Sequence, residues 1–192
     1  MTDDAAPLGL EDDPRWRRLR ARPWICRSCG ATHTGLFDLV VPRPDVWPTD
    51  EPAVGNGEIP NRQHFLSEDF CVLGGEHRFI RCMLELPIVG SGGEIFAFGV
   101  WSSLSEASFD AYVETFDDEE GGALGPWFGW FSNRLPVYPD TINLKCRVHP
   151  RDGKNDALSR RSDDAMKRVK LRERTILRAR DRRVECGTRR IW

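Results

Sequence analysis

Residues 78–104, RFIRCMLELPIVGSGGEIFAFGVWSSL, constrain this chain most, because they combine its densest apolar sequence with a reversal in the middle. Ile80, Cys82, Leu84, Leu86 and Ile88 alternate with Phe79, Arg81, Met83, Glu85 and Pro87. That is the period of a β-strand with one wholly apolar face. Gly90-Ser91-Gly92-Gly93 supplies residues that accept positive φ where the chain must turn, and Glu94 to Trp101 returns with Ile95, Phe96, Phe98 and Val100. The stretch predicts a β-hairpin at the centre of a sheet, with one face in the core.

At 192 residues the chain can bury a core without disulfides. No window reaches the roughly 18 apolar residues of a membrane-spanning helix, and the start, MTDDAAPLGLEDDPRWRR, is acidic and polar. The expectation is a cytoplasmic protein with no membrane partner. In a reducing compartment its six cysteines read as thiols or metal ligands more readily than as bridges. Residues 151–192 hold 15 Lys/Arg and 7 Asp/Glu, net +8, whereas residues 1–150 hold 13 and 23, net −10. The carboxy-terminal segment is foreign in composition to the body.

In chain order, residues 1–23 read as a mobile extension with a short helix from Pro14 through Trp16 and Leu19. Leu36 to Val41 is a strand candidate, and residues 42–61, rich in Pro, Gly and Asp, a long loop from which Val46 and Trp47 could dock. Phe70 to Leu73 is a strand that reverses at Gly74-Gly75 into the hairpin. Ser105 is a helix cap, and Phe109, Tyr112, Val113 and Phe116 follow on one face, which predicts a helix over 105–116. An acidic loop follows at 117–122, then an aromatic cluster, Trp127 to Phe131, and a last strand within 141–149. Residues 150–192 form an Arg-rich tail, partly helical or disordered, with helical propensity over 159–184. The fold class is α+β: an antiparallel sheet of four or five strands, one packed helix and an amino-terminal zinc-knuckle-like loop.

The chemistry that the sequence offers begins at Cys26-Arg27-Ser28-Cys29-Gly30. Two cysteines at this spacing, followed by a glycine, make half of a tetrahedral zinc site. His33 and Cys71 complete a Cys3His set, with His64 as the substitute for His33. Four protein donors leave no position for water, so the ion would be structural. Two other readings stay open, a pair of small buried hydrophobes and a redox pair. No catalytic motif is present: Gly90 to Gly93 joins two strands and opens no helix, unlike a phosphate loop.

The motifs together resemble one family, the bacterial domain of unknown function 2199. They are Cys26-x-x-Cys29-Gly30-x-x-His33, Asp69-Phe70-Cys71-Val72, His77-Arg78-Phe79-Ile80-Arg81, Phe98 to Glu106, Phe128-Gly129-Trp130, and Leu135-Pro136-x-Tyr138-Pro139-Asp140-Thr141. The resemblance covers residues 24–149 and implies the same four metal-ligand positions, but no reaction. It departs at Cys82, where relatives have Gly, and throughout the tail, which reads as a divergent or frameshifted carboxy terminus. The functional reading is a non-catalytic, zinc-stabilised interaction module with an unidentified protein partner. An enzyme of unknown reaction, or nucleic-acid binding through the basic tail alone, is the alternative.

Overall fold

The computed structural model describes residues 9–26, 30–56, 63–116, 121–135, 138 and 140–150, together with the backbone of 167–171. The chain divides into two units, Met1–Val40 with Glu85–Phe98, and Val41–Leu84 with Gly99–Trp192.

In the first unit, helix α1 (Pro14–Ala21) begins with Pro at its first position, and the Asp13 carboxylate accepts from the Arg15 N–H at 2.8 Å. Arg18 and Arg20 lie in its last turn, where cations suit the helix dipole. Trp16 is buried, and the helix stands where the sequence predicts a short one from Pro14 through Trp16 and Leu19. A shallow hollow of about 350 Å³ lies beside it, lined mainly by Leu10, Trp16, Leu19, Leu36, Ile88 and Phe96. Strands β1 (Trp24–Ile25) and β2 (Thr32–His33) form an antiparallel ribbon, and β3 (Leu39–Val40) is shorter than the six-residue strand its sequence suggests. Asp38 accepts the Ala97 N–H at 2.8 Å.

In the second unit, β4 (Phe65–Leu66) pairs with β5 (Phe70–Leu73), which pairs antiparallel with β6 (His77–Pro87). β6 and β7 (Ile95–Leu104) are the predicted hairpin, and each continues into the first unit. The reversal between them is closed by Ser91, whose hydroxyl donates to the Ile88 carbonyl at 2.8 Å and accepts the Glu94 N–H at 2.9 Å. Gly90, Gly92 and Gly93 all have positive φ there.

Helix α2 (Glu106–Glu114) follows β7, with the Ser105 hydroxyl accepting the Ser108 N–H at 3.2 Å. Then come β8 (Trp127–Trp130), β9 (Lys145–His149) and β10 (Lys167–Leu171). The strand order is β7-β6-β10-β9-β8. β8 returns to β7 through an antiparallel bridge between Phe131 and Ser102, so the sheet curls back on itself. The approach needs Gly129, where a Cβ would stand 2.4 Å from both the Ser102 hydroxyl and the Ser103 carbonyl oxygen.

Three expectations change here. The sheet is mixed, not antiparallel, because β10 runs parallel to β6 (Lys167 opposite Cys82) and antiparallel to β9. The segment 167–171, expected in a helical stretch, is a strand, and its two apolar residues take the register positions opposite buried residues of β9, Val169 opposite Val148 and Leu171 opposite Cys146. Tertiary pairing overrides helical propensity at this point. Finally, β6 is buried on both faces: Phe79 joins Trp47, Leu66, Cys71 and Trp101 in one cluster, while Ile80 and Cys82 lie on the other. That second face meets α2, where Phe70, opposite Ile80 in register, contacts Phe109, Tyr112 and Phe116 at ring separations of 6.0, 5.7 and 4.7 Å.

Trp47 docks from the 42–56 loop, whereas Val46 is exposed. Asn133 pins the same loop: its side-chain amide donates to the Arg43 carbonyl at 2.8 Å and to Asp45 at 3.0 Å, while its oxygen accepts the Trp101 N–H at 2.7 Å. The readings of residues 57–61, the acidic run 117–120, and the tail at 151–166 and 172–192 lie outside the described residues.

Candidate functional site

The ribbon of β1 and β2 carries the amino-terminal candidates. Trp24 stands opposite His33 and Ile25 opposite Thr32. Beyond them the Cys26 N–H donates to the Ala31 carbonyl at 2.8 Å, and the Gly30 N–H donates back to the Cys26 carbonyl at 2.8 Å. Gly30 has φ +70°, a conformation that a residue with a Cβ seldom adopts. Trp24, Cys26 and His33 are half-buried while Ile25 is exposed, so alternation sets Cys26 and His33 on one face as diagonal neighbours. The His33 ring stacks on Trp24 at 5.0 Å. Cys29 lies outside the described residues, and so does the second half of the expected zinc knuckle.

Cys71 belongs to the second unit and is wholly buried. It packs with Trp47, Leu66, Phe79 and Trp101, and burial pushes its thiol up to about 12. Cys146 is similar: burial raises its thiol to about 11, partly offset by a hydrogen bond with Ser102, whose Oγ lies 3.2 Å from Sγ. Near neutral pH both stay protonated, which makes them packing groups and not nucleophiles.

His64, the substitute ligand, is committed elsewhere. Its Nδ1 accepts the Gly74 N–H at 3.2 Å, which places the ring proton on Nε2, and Nε2 donates to the Glu51 carboxylate at 2.6 Å. The ring also stacks on Trp47 at 4.7 Å. With both nitrogens engaged, His64 holds the 42–56 loop to the β5 turn and has no lone pair to offer a metal. Among the described residues, no group of three or more His, Cys, Asp or Glu side chains is placed to hold a metal ion.

Sequence reasoning passed over Asn133 and the His64–Glu51 pair. Neither leaves a local signal, since their partners lie 32 to 90 and 13 residues away in the chain.

Comparison with known families adds one result. A model of bacterial uncharacterized proteins, DUF2199, matches residues 25–166. The chain belongs to the DUF2199 family. No curated protein and no solved structure matches it. The DUF2199 match takes in all but the first residue of the ribbon, the hairpin, α2, β8 and β9, and ends one residue before β10. Among the described residues no helix is long and apolar enough to cross a membrane.

Proposed function

We propose that this DUF2199 protein is a non-catalytic interaction module whose amino-terminal ribbon is stabilised by zinc. One observation carries the reading. Two backbone hydrogen bonds of 2.8 Å tie Cys26 to Gly30 and Ala31, and His33 shares a ribbon face with Cys26. The Cys-x-x-Cys-Gly spacing at this point of the chain suits thiolate coordination. Zinc would be held by Cys26, Cys29 and His33, residues of a ribbon too short to be stable unaided, with a fourth protein donor closing the sphere and keeping the ion structural. Cys71 enters only as the fourth candidate from sequence, and its apolar surroundings suit a packing role better. The non-catalytic part of the reading draws on the buried, protonated thiols and on the committed nitrogens of His64.

The test is elemental analysis of protein purified without chelators, alongside Cys29→Ser, His33→Ala and Cys71→Ala. One zinc per chain is expected in wild type, with loss in the first two variants and retention in Cys71→Ala. Metal-free wild type, or full zinc in Cys29→Ser, would exclude the ribbon as a metal centre.

A further inference from the structure

The outward face of β8 and β9 combines features that folding alone does not require. Phe128 and Trp130 are 54% and 41% exposed, with Gly129 buried between them. Across the strand pair, Phe128 stands opposite Arg147 and Trp130 opposite Lys145, and both cations are exposed. All four side chains therefore project from one face, with directly opposed Cβ atoms about 5 Å apart. The aromatic rings meet edge to face at 5.2 Å, and the Lys145 ammonium lies 5.6 Å from the centre of the Trp130 ring. Single exposed apolar residues are ordinary, but two adjacent large aromatics in a frame of cations make a patch. Tryptophan and arginine are the residues that anchor interface hot spots.

Charge indicates what such a patch takes. Residues 1–150 carry a net charge of −10, yet neither β8 nor β9 contains an acidic residue. Two exposed cations on strands that carry no carboxylate are the complement of an anionic partner. A polyphosphate chain fits less well than a short acidic segment. The two rings stand at 83° to each other, so they cannot both lie parallel to successive stacked bases. A long polyanion would also meet the repulsion of the acidic body.

We infer that this face, formed by Phe128, Trp130, Lys145 and Arg147, docks an extended acidic segment of a partner protein in which every second residue, the one that faces the patch, is apolar and acidic in turn. Alternate residues of an extended segment recur every 6.5–7 Å or so. That spacing lets apolar groups cover the rings while carboxylates reach Lys145 and Arg147. The inference rests on the interaction-module reading and names its surface.

The test uses the full chain and a fluorescein-labelled octapeptide with Leu and Glu in turn at every second position and Ser between them, the Glu–Leu peptide. A Lys–Leu octapeptide and a twelve-nucleotide oligouridylate serve as the competing probes, all followed by anisotropy. Saturable binding of the Glu–Leu peptide is expected, weakened by salt. It should fall by about tenfold or more in Trp130→Ser and again in Lys145→Glu/Arg147→Glu. All these positions are exposed, and melting temperature and zinc content are measured on each preparation. Loss of peptide binding with zinc and melting unchanged supports the surface. Absence of saturable binding, equal binding of the Lys–Leu peptide, or indifference to the substitutions overturns it. Tighter binding of the oligouridylate also overturns it, making the face a nucleic-acid platform. Zinc-free wild type that still binds the peptide through these residues would remove the metal from the module and leave the surface standing.

Discussion

Cys71 and Cys146 show how far a residue's surroundings can displace what its type suggests. Both thiols are buried, and their proton affinities are raised, to about 12 and about 11. An unfolded chain releases these protons near pH 9, whereas the folded chain holds them further into alkali. The folded state then binds more protons, so its stability is full below pH 9 and falls as the pH rises from there towards 11 and 12. The expected observation is a melting temperature that declines above pH 9, and a shallower decline in Cys71→Ala. An identical slope in that variant would show that its thiol titrates normally in the fold. Cys26, half-buried on the ribbon, stands outside this account. From sequence none of the three shows whether it is desolvated, because type and spacing carry no information about burial.

At the scale of elements, α2 was legible almost residue by residue. A serine cap followed by Phe109, Tyr112 and Phe116 on one stripe is a complete local instruction, and the structure places those rings around Phe70. Phe109 is 3% exposed, so Phe109→Ala is expected to cost about 3–5 kcal/mol in a urea titration. A loss below about 1 kcal/mol would mean that the helix packs on another face. The hairpin was equally legible, since its period, turn glycines and return strand agree. Its second buried face was not, because Arg81 and Glu85 made that side look solvated. The Arg81 guanidinium instead lies 5.3 Å from the centre of the Trp101 ring, a contact made across strands and invisible to periodicity.

For the molecule as a whole, the tail alters the topology. Without β10 the sheet of the second unit would leave β6 and β9 with open edges, since β10 pairs with Cys82 and Met83 on one side and with Cys146 to His149 on the other. Ending the chain after Pro150 is therefore expected to lower the melting temperature by about 5 °C, and to speed amide exchange in β9 more than in β5. Unchanged melting and exchange would show that the segment contributes nothing to the sheet. A net charge of +8 made the tail look like an appendage; a five-residue strand needs only two apolar residues at matching register to hold a place.

Local pattern alone determined the hairpin, the α2 helix, strand β9, the α+β class and, through short ordered motifs, membership of DUF2199. Each depends on periodicity, caps or turn chemistry that a few neighbouring residues specify. Tertiary structure decided the mixed character of the sheet, its return through Phe131 and Ser102, the burial of Cys71, and the engagement of His64 with Glu51 and Gly74. It also decided that Phe128, Trp130, Lys145 and Arg147 share one face. These outcomes depend on which distant strands become neighbours and in what register. Neighbouring positions in the chain cannot specify them, because the energy that selects a pairing is gained only once remote side chains exclude water together.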